Sequence, residues 1–446
     1  MNNPKKILTV CISISSLLIA SCGGNKEVET AKVDTMSTET AAPQESTVDE
    51  MVDFKFKYLT ANIPSPMELV DALPKAGISF SKDVLNQIEK LPEGIKTSFY
   101  NLPHKLRSSG IRFYSPNKAC MEIPFTRGES EDISGYVCKR SNFDQILING
   151  LKEFSNINYI QDTPVLGIVS ADDGLQVITP NKIVLGKMVV GADGANSLVA
   201  KKMGNTKKDD KSNFVGMRSY FENVKGFHQN NFIELHFYKE ILPSYLWVFP
   251  MNQNMANVGI GVSSNDIKNK KIILKNQLEK IIKENPSLSE RFKEAKQIGK
   301  YEAWGVPVGL KKRKISGNRF LLIGDAASLV DPFTGEGVGN ALRSGRIAAT
   351  HLLSCFRLKQ FDEKFNQNFD QLIYAKMGKE LKISRTLLNL SKHAWFLNYT
   401  VKKANKNEQF KNFLMNTIFH VEMKSNLRKP SFFYNVRKTP FLCVTY

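Results

Sequence analysis

Between Phe320 and Ala349 the chain orders its residue types as a nucleotide-cofactor pocket requires. The apolar run Arg319 to Ile323 reads as a buried strand. It ends at Gly324, where a ligand can approach the backbone closely. Asp325 follows as an acceptor at the strand's carboxyl end, placed for a ribose hydroxyl. Pro332 breaks the chain, and Gly335, Gly337 and Gly339 leave bare backbone where a helix should start. A helix start offers unpaired N–H groups and a positive dipole end, which suit a pyrophosphate or the pyrimidine edge of a reduced flavin. Small residues at Ala341, Ser344, Gly345, Ala348 and Ala349 let that helix pack closely on a sheet. Spaced glycines alone fit a plain loop before a core helix. The whole order of strand, Gly-Asp, proline, glycines and small-residue helix favours the pocket.

Three further stretches carry candidate chemistry. Val189 to Val199 reads as a strand, an Asp193-Gly194 turn and a helix with Ser197 at an N-cap-like position. A structural strand-to-helix turn would read the same way. Arg140 precedes an apolar helix over Phe143 to Phe154, and a guanidinium there suits a phosphate or a carbonyl. In the run Leu242 to Pro250, Tyr245, Trp247 and Phe249 share one strand face at period two. Such a face either packs into a core or lines an apolar channel. Trp304 to Gly309 reads as a companion strand.

These stretches resemble, in order, the second FAD fingerprint, the Asp-Gly motif, the Arg-plus-helix segment and the PxxYxWxFP box of the geranylgeranyl reductase family, within the hydroxybenzoate hydroxylase-like superfamily. The form Asp331-Pro332-Phe333-Thr334-Gly335-Glu336-Gly337 is that of the reductase branch. The resemblance implies FAD as cofactor and NAD(P)H as electron donor. It implies that Gly324 and Asp325 meet the FAD ribose, that Pro332, Gly335, Gly337, Val338 and Gly339 line the flavin ring, and that Arg140 reaches the cofactor. Asp193 would stabilise the fold near the pyrophosphate. Tyr245, Trp247, Phe249 and Trp304 would line a channel for an isoprenoid chain, with Tyr245 as candidate proton donor. The implied reaction is reduction of C=C bonds in a geranylgeranyl or polyprenyl group. A flavin monooxygenase or halogenase on the same fold is the rival enzyme reading; an inert exported lipoprotein fused to a flavoprotein fragment is the non-enzymatic one.

The elements that must position these residues predict an α/β, or α+β, fold. An incomplete FAD/NAD(P)-binding Rossmann-like domain (97–205 and 315–355) carries an inserted antiparallel-sheet substrate domain (206–314), some of whose strands come from the first segment. A basic helical region, 356–446, closes the chain. Members of the family open with strand–GxGxxG–helix, the unit that holds the ADP half of FAD. The first 95 residues contain only Gly23, Gly24, Gly77 and Gly94, none so spaced. Without that unit the sheet should lack its central strand and expose apolar edges. The N-terminus instead has Lys5 and Lys6, an apolar run Ile7 to Ala20, and Ile19-Ala20-Ser21-Cys22-Gly23, the pattern of a bacterial lipoprotein signal with Cys22 lipidated. A polar tether (23–52) and a helical segment similar to bacterial surface lipoproteins (53–96) follow, so the chain reads as a hybrid joined between about 85 and 100. Localisation is therefore divided: the signal points to a lipid anchor in the envelope, the flavoprotein body to the cytoplasm or its membrane face.

Charge and cysteine usage narrow the partners. The net charge is +19 over 446 residues. It concentrates in Phe356 to Tyr446, with 17 basic against six acidic residues. Lysines there are interleaved with apolar residues, including Trp395 and Phe396, as on a membrane-surface helix or a solvated helical cap. No nucleic-acid motif accompanies them. The six cysteines are widely spaced with no CxxC pair, which argues against a zinc site or a disulfide framework.

Overall fold

Alternation along the strands sets the architecture, seen here in a computed structural model that describes residues 87–411 and 414, apart from 104, 128–130, 133–134, 206–209 and 252–253. The signal segment, Cys22, the tether, most of the 53–96 segment and the end of the basic tail lie outside the described residues. A first helix, α1 (Glu93–Tyr100), precedes strands β1 (Leu106–Ser108), β2 (Gly110–Tyr114), β3 (Cys120–Pro124), β4 (Thr126–Arg127), β5 (Glu131–Asp132) and β6 (Gly135–Val137). Helix α2 (Arg140–Leu151) follows, burying Phe143 and Ile146 as its apolar spacing predicts. Strands β7 (Gly167–Ala171), β8 (Gly174–Ile178) and β9 (Ile183–Gly186) form a separate antiparallel meander.

The larger sheet is seven-stranded. It comprises β2, β3, β11 (Asn213–Glu222), β12 (Ile233–His236), β13 (Leu246–Pro250), β14 (Ala256–Ser263) and β15 (Lys296–Pro307), in the order β15-β11-β14-β13-β12-β2-β3. All neighbours are antiparallel except β12 and β2. Period-two alternation sends Leu246, Val248, Val258, Ile260 and Val262 to one face. There they meet Leu278 and Ile281 of α5 (Leu274–Glu284) and Leu288 of α6 (Pro286–Arg291), which follow the short α4 (Ser264–Lys270). Tyr245, Trp247 and Phe249 point to the opposite face.

The smaller sheet joins β10 (Val189–Gly191), β17 (Phe320–Leu322) and β16 (Ser316–Gly317), with β10 and β17 parallel. Among the described residues no strand pairs with the outer edge of β10. The expected exposure of apolar side chains there does not follow, because Val189 and Val190 are buried. Helix α3 (Leu198–Lys202) follows β10, capped by Ser197, whose Oγ accepts from the Ala200 amide. Helices α7 (Val338–Leu358) and α8 (Glu363–Ser391) cover this sheet, with Ile347, Phe369 and Ile373 in the shared core. Arg343 forks onto both carboxylate oxygens of Glu380 at 2.8 and 3.0 Å, tying α7 to α8. Helix α9 (Ala394–Lys406) lays Leu397 and Val401 against the cluster that contains Ile111 and Phe113 of β2. After α6 ends at Arg291 the chain turns into β15 at Lys296, so the strand expected at Trp304 begins eight residues earlier.

Candidate functional site

The loop between β17 and α7 is shaped by its own carboxylates. Asp331, buried, accepts from the amides of Phe333 and Thr334 at 3.0 and 2.9 Å and from the Thr334 hydroxyl at 3.0 Å. Its other oxygen accepts from Ser384 of α8, so the turn is fastened to a helix 53 residues further on. Gly335 takes φ +69°, a conformation open to glycine at little cost. Glu336 accepts from the Gly339 amide at 2.6 Å and caps α7.

Against this loop the large sheet encloses a cavity of about 260 Å³. Trp247 and Phe249 line it from β13 and Tyr245 from the residue before that strand, Trp304 from β15, and Pro332 and Gly335 from the loop. Two stretches distant in sequence therefore meet in one apolar space. Tyr245 bridges them, donating its hydroxyl hydrogen to the Thr334 carbonyl. Burial, with a smaller push from Asp331, raises the Tyr245 phenol well above its usual value. A phenol that is both desolvated and already donating to a backbone carbonyl is a strut between sheet and loop and a weak proton source. Its expected role as proton donor would require release of that bond to Thr334. Trp247 donates to Asn257 at 3.0 Å and lies over Gly259, where a Cβ would fall 2.2 Å from the indole ring.

Asp325 begins the turn after Gly324 and is half-buried. Burial pushes its carboxyl up to about 6, against the pull of the nearby Arg140 charge, and no hydrogen bond to it contributes. Arg140 itself stands at the start of α2 and pairs with Asp144 at 3.3 Å. The structure thus brings Arg140, Asp325 and Gly337 together: a Cβ on Gly337 would lie 3.5 Å from Asp325 Oδ1. Gly324 serves a different end from the expected ligand approach. It takes φ +55°, its amide donates to Ser344 Oγ at 3.0 Å, and a Cβ there would meet Ala341 at 3.1 Å. It closes the packing of α7 on the sheet. The Gly339 amide is likewise occupied, by Glu336, while Val338 is the first residue of α7. Asp193 caps α3, with Oδ2 accepting from Leu198 at 2.6 Å and Val199 at 3.2 Å. Its Oδ1 is buried without a partner.

Sequence reasoning missed several residues here. Asp331 and Glu336 lie inside the quoted motif, and acidic residues beside a helix start were the available signal. Ser244 lines the cavity, while its hydroxyl is buried behind the wall with no hydrogen-bond partner. Gly216 and Gly261 also line it, and nothing in a linear reading pairs them.

The residues present fit the flavin and ribose end of FAD. A desolvated carboxylate acceptor, a bare backbone at Gly335 and Gly337, and a helix start form one surface beside the cavity. The GxGxxG unit for the ADP end does not occur in the sequence. Among the described residues there is no cluster able to hold a metal ion.

A family model described as the geranylgeranyl reductase catalytic domain matches residues 214–301, from β11 into β15. A digeranylgeranylglycerophospholipid reductase of Thermoplasma acidophilum is 28% identical over 311 residues, 69% of this chain and 75% of the relative. The namesake enzyme of Methanosarcina acetivorans is 31% identical over 298 residues, 63% of this chain and 69% of the relative. A solved geranylgeranyl bacteriochlorophyll reductase-like protein of Thermoplasma acidophilum superposes with TM-score 0.62 at 23% identity, covering 80% of this chain and 89% of its own. A flavin-dependent brominase shares the fold at TM-score 0.58 and 15% identity, covering 81% and 98%.

Proposed function

The chain belongs to the geranylgeranyl reductase family of FAD-dependent oxidoreductases, and from that premise we propose that it reduces isolated C=C bonds in the polyprenyl chain of a lipid. One observation carries the reading: the aromatic face of β13 and the Pro332–Gly335 loop close on the same apolar cavity of about 260 Å³. A chain lying on that face is held beside the loop expected to seat the flavin.

FAD, when bound and reduced, supplies the hydride that goes to one alkene carbon, while a proton goes to the other. This chain's residues do the rest. Asp325, Gly335, Gly337 and the start of α7 bind and orient the cofactor's ring and ribose, with Arg140 holding charge nearby. Trp247, Phe249 and Trp304 grip the isoprenoid and exclude water. Tyr245 holds the loop to the sheet.

NAD(P)H is proposed as the electron donor. Association with an anionic membrane surface is supported by α9, where Trp395 is 65% and Tyr399 41% exposed one turn apart, beside Lys402, Lys403 and Lys406. Among the described residues no helix is long and apolar enough to cross a membrane. A signal segment with Cys22 lipidated would instead anchor the protein in the envelope.

The test is product analysis. The protein is incubated anaerobically with FAD, NADPH and a geranylgeranyl lipid. A mass gain of a pair of hydrogens per double bond supports the reading. Unchanged lipid, with halogenated or hydroxylated aromatic product in air, would transfer it to the halogenase or monooxygenase branch.

A further inference from the structure

A buried charge without hydrogen bonds needs a partner, and Arg218 of β11 is such a charge. Gly216, Arg218 and Tyr220 alternate along β11 and so project to one face of the sheet, which Gly216 places on the cavity side. Met217 and Phe221 pack into the core on the other face. The Arg218 side chain is only 8% exposed. Its guanidinium carbon lies 4.4 Å from the centre of the Tyr220 ring and 5.9 Å from that of Trp304. Rings hold the guanidinium in place but accept none of its five edge N–H groups. Glu302 of β15 comes within 2.9 Å of Nη2, yet its Oε2 accepts no hydrogen bond. Among the described residues the guanidinium donates no hydrogen bond to any other group. A buried cation so poorly satisfied is costly to the fold.

The group stands at the mouth of the cavity. Trp304 lines the cavity and is also 42% exposed, so it reaches from inside to outside. The start of α2 comes to the same place, with Lys139 Nζ 5.8 Å from the centre of the Tyr220 ring. That helix has no side-chain cap and no acidic residue in its first turn, so its positive end is uncompensated. Arg140 also acts on the Tyr220 phenol, but Asp144 and Asp325 balance it. Lys139 and Arg218 are left against the single carboxylate of Glu302. An amphiphile with its chain in the apolar cavity presents its polar end here. A guanidinium with open edge donors suits a phosphate, which it can meet with two parallel hydrogen bonds.

We infer that Arg218, with Lys139 and the start of α2, forms a phosphate-binding subsite for the head of the ligand whose chain fills the cavity; the inference rests on the polyprenyl reading above. Glu302 competes with the phosphate for the guanidinium. Arg218 is then a binding residue that selects the head group, while the apolar lining takes the chain.

The experiment titrates the full-length protein with geraniol and with geranyl phosphate, which share one chain and differ in the phosphate, read by tryptophan fluorescence. Wild type should bind the phosphate about 10- to 100-fold more tightly, the size of a hydrogen bond between charged groups. Arg218→Met keeps an unbranched side chain between the rings and should lose that preference while binding geraniol as before. Glu302→Gln removes the competitor and should tighten geranyl phosphate by up to about fivefold. It decides the matter if Arg218→Met does not fold, because an unchanged affinity would then overturn the subsite. Equal binding of the two ligands by wild type, or a preference that survives in Arg218→Met, overturns the subsite and leaves the polyprenyl reading intact. FAD is titrated into the same variants. Weakened FAD with an unchanged preference for geranyl phosphate would also overturn it, assigning Arg218 to the cofactor's phosphates. A folded wild type that binds neither ligand overturns the polyprenyl reading and the subsite with it.

Discussion

Replacing Asp325 by asparagine separates what that carboxylate costs the fold from what it does for a cofactor. Burial moves its ionisation from 3.8 up to about 6. The native state then keeps its proton at pH values where the unfolded chain has lost it, so stability falls as pH rises from about 4 to about 6 and stays reduced above. At 1.36 kcal/mol per pH unit the penalty is about 3 kcal/mol as a ceiling. Asp325→Asn removes it. The cofactor-free variant should match wild type near pH 4 and be more stable by up to about 3 kcal/mol at pH 8, by urea denaturation at both pH values. The same change should cost FAD affinity, because a hydrogen bond to a charged acceptor contributes about 1.5–3 kcal/mol. That is roughly a 10- to 100-fold weaker Kd by flavin fluorescence titration. A variant no more stable at pH 8 than wild type, with unaltered FAD affinity, would refute both the desolvation argument and the cofactor role.

Tyr245→Phe removes the hydroxyl that donates to Thr334. With the phenol acting as a strut, turnover should fall less than tenfold, whereas loss of a general acid costs about 100-fold or more; steady-state reduction rates discriminate. Gly259→Ala puts a methyl where the Trp247 indole lies. It should destabilise by about 1–3 kcal/mol and shift the tryptophan emission, and an unshifted spectrum would contradict the packing. Glu234 is wholly buried, with Arg291 forked onto it at 2.7 and 3.0 Å and His236 at 3.0 Å. Burial alone would raise its carboxyl; the bond from His236 and the Arg291 charge outweigh that and hold it below its usual range. Its contribution is therefore present above pH 4.5 and lost on acidification. Glu234→Gln should cost about 3–5 kcal/mol at pH 7, measured by thermal and urea unfolding.

Much of the site was legible because its chemistry demands particular residue types at particular spacings. Asp325 after a buried strand, glycines before a small-residue helix, and Tyr245, Trp247 and Phe249 at period two are local patterns, and each forms the expected kind of element. The convergence of β13 and the 332–335 loop on one cavity was reachable only through family resemblance, since local pattern does not say which elements meet. The pairing of Gly216 with Gly261 stayed hidden because cross-strand register is set by tertiary pairing of segments 45 residues apart. Ser384 fastening Asp331 is of the same kind. Only the end of β15, from Trp304, was legible as a strand, because its first five residues are exposed and without apolar alternation. Gly324 shows the limit of a residue-type argument: glycine was required, but for helix packing and positive φ.

The central claim is that the turn from Asp325 through Gly339 seats a flavin ring beside the aromatic cavity, and equilibrium uptake of FAD by the purified, folded chain tests it most directly. Flavin fluorescence should be quenched on binding, and a two-unit isoprenoid alcohol should perturb the bound flavin's visible spectrum. A folded protein that leaves added FAD free in solution would contradict the account.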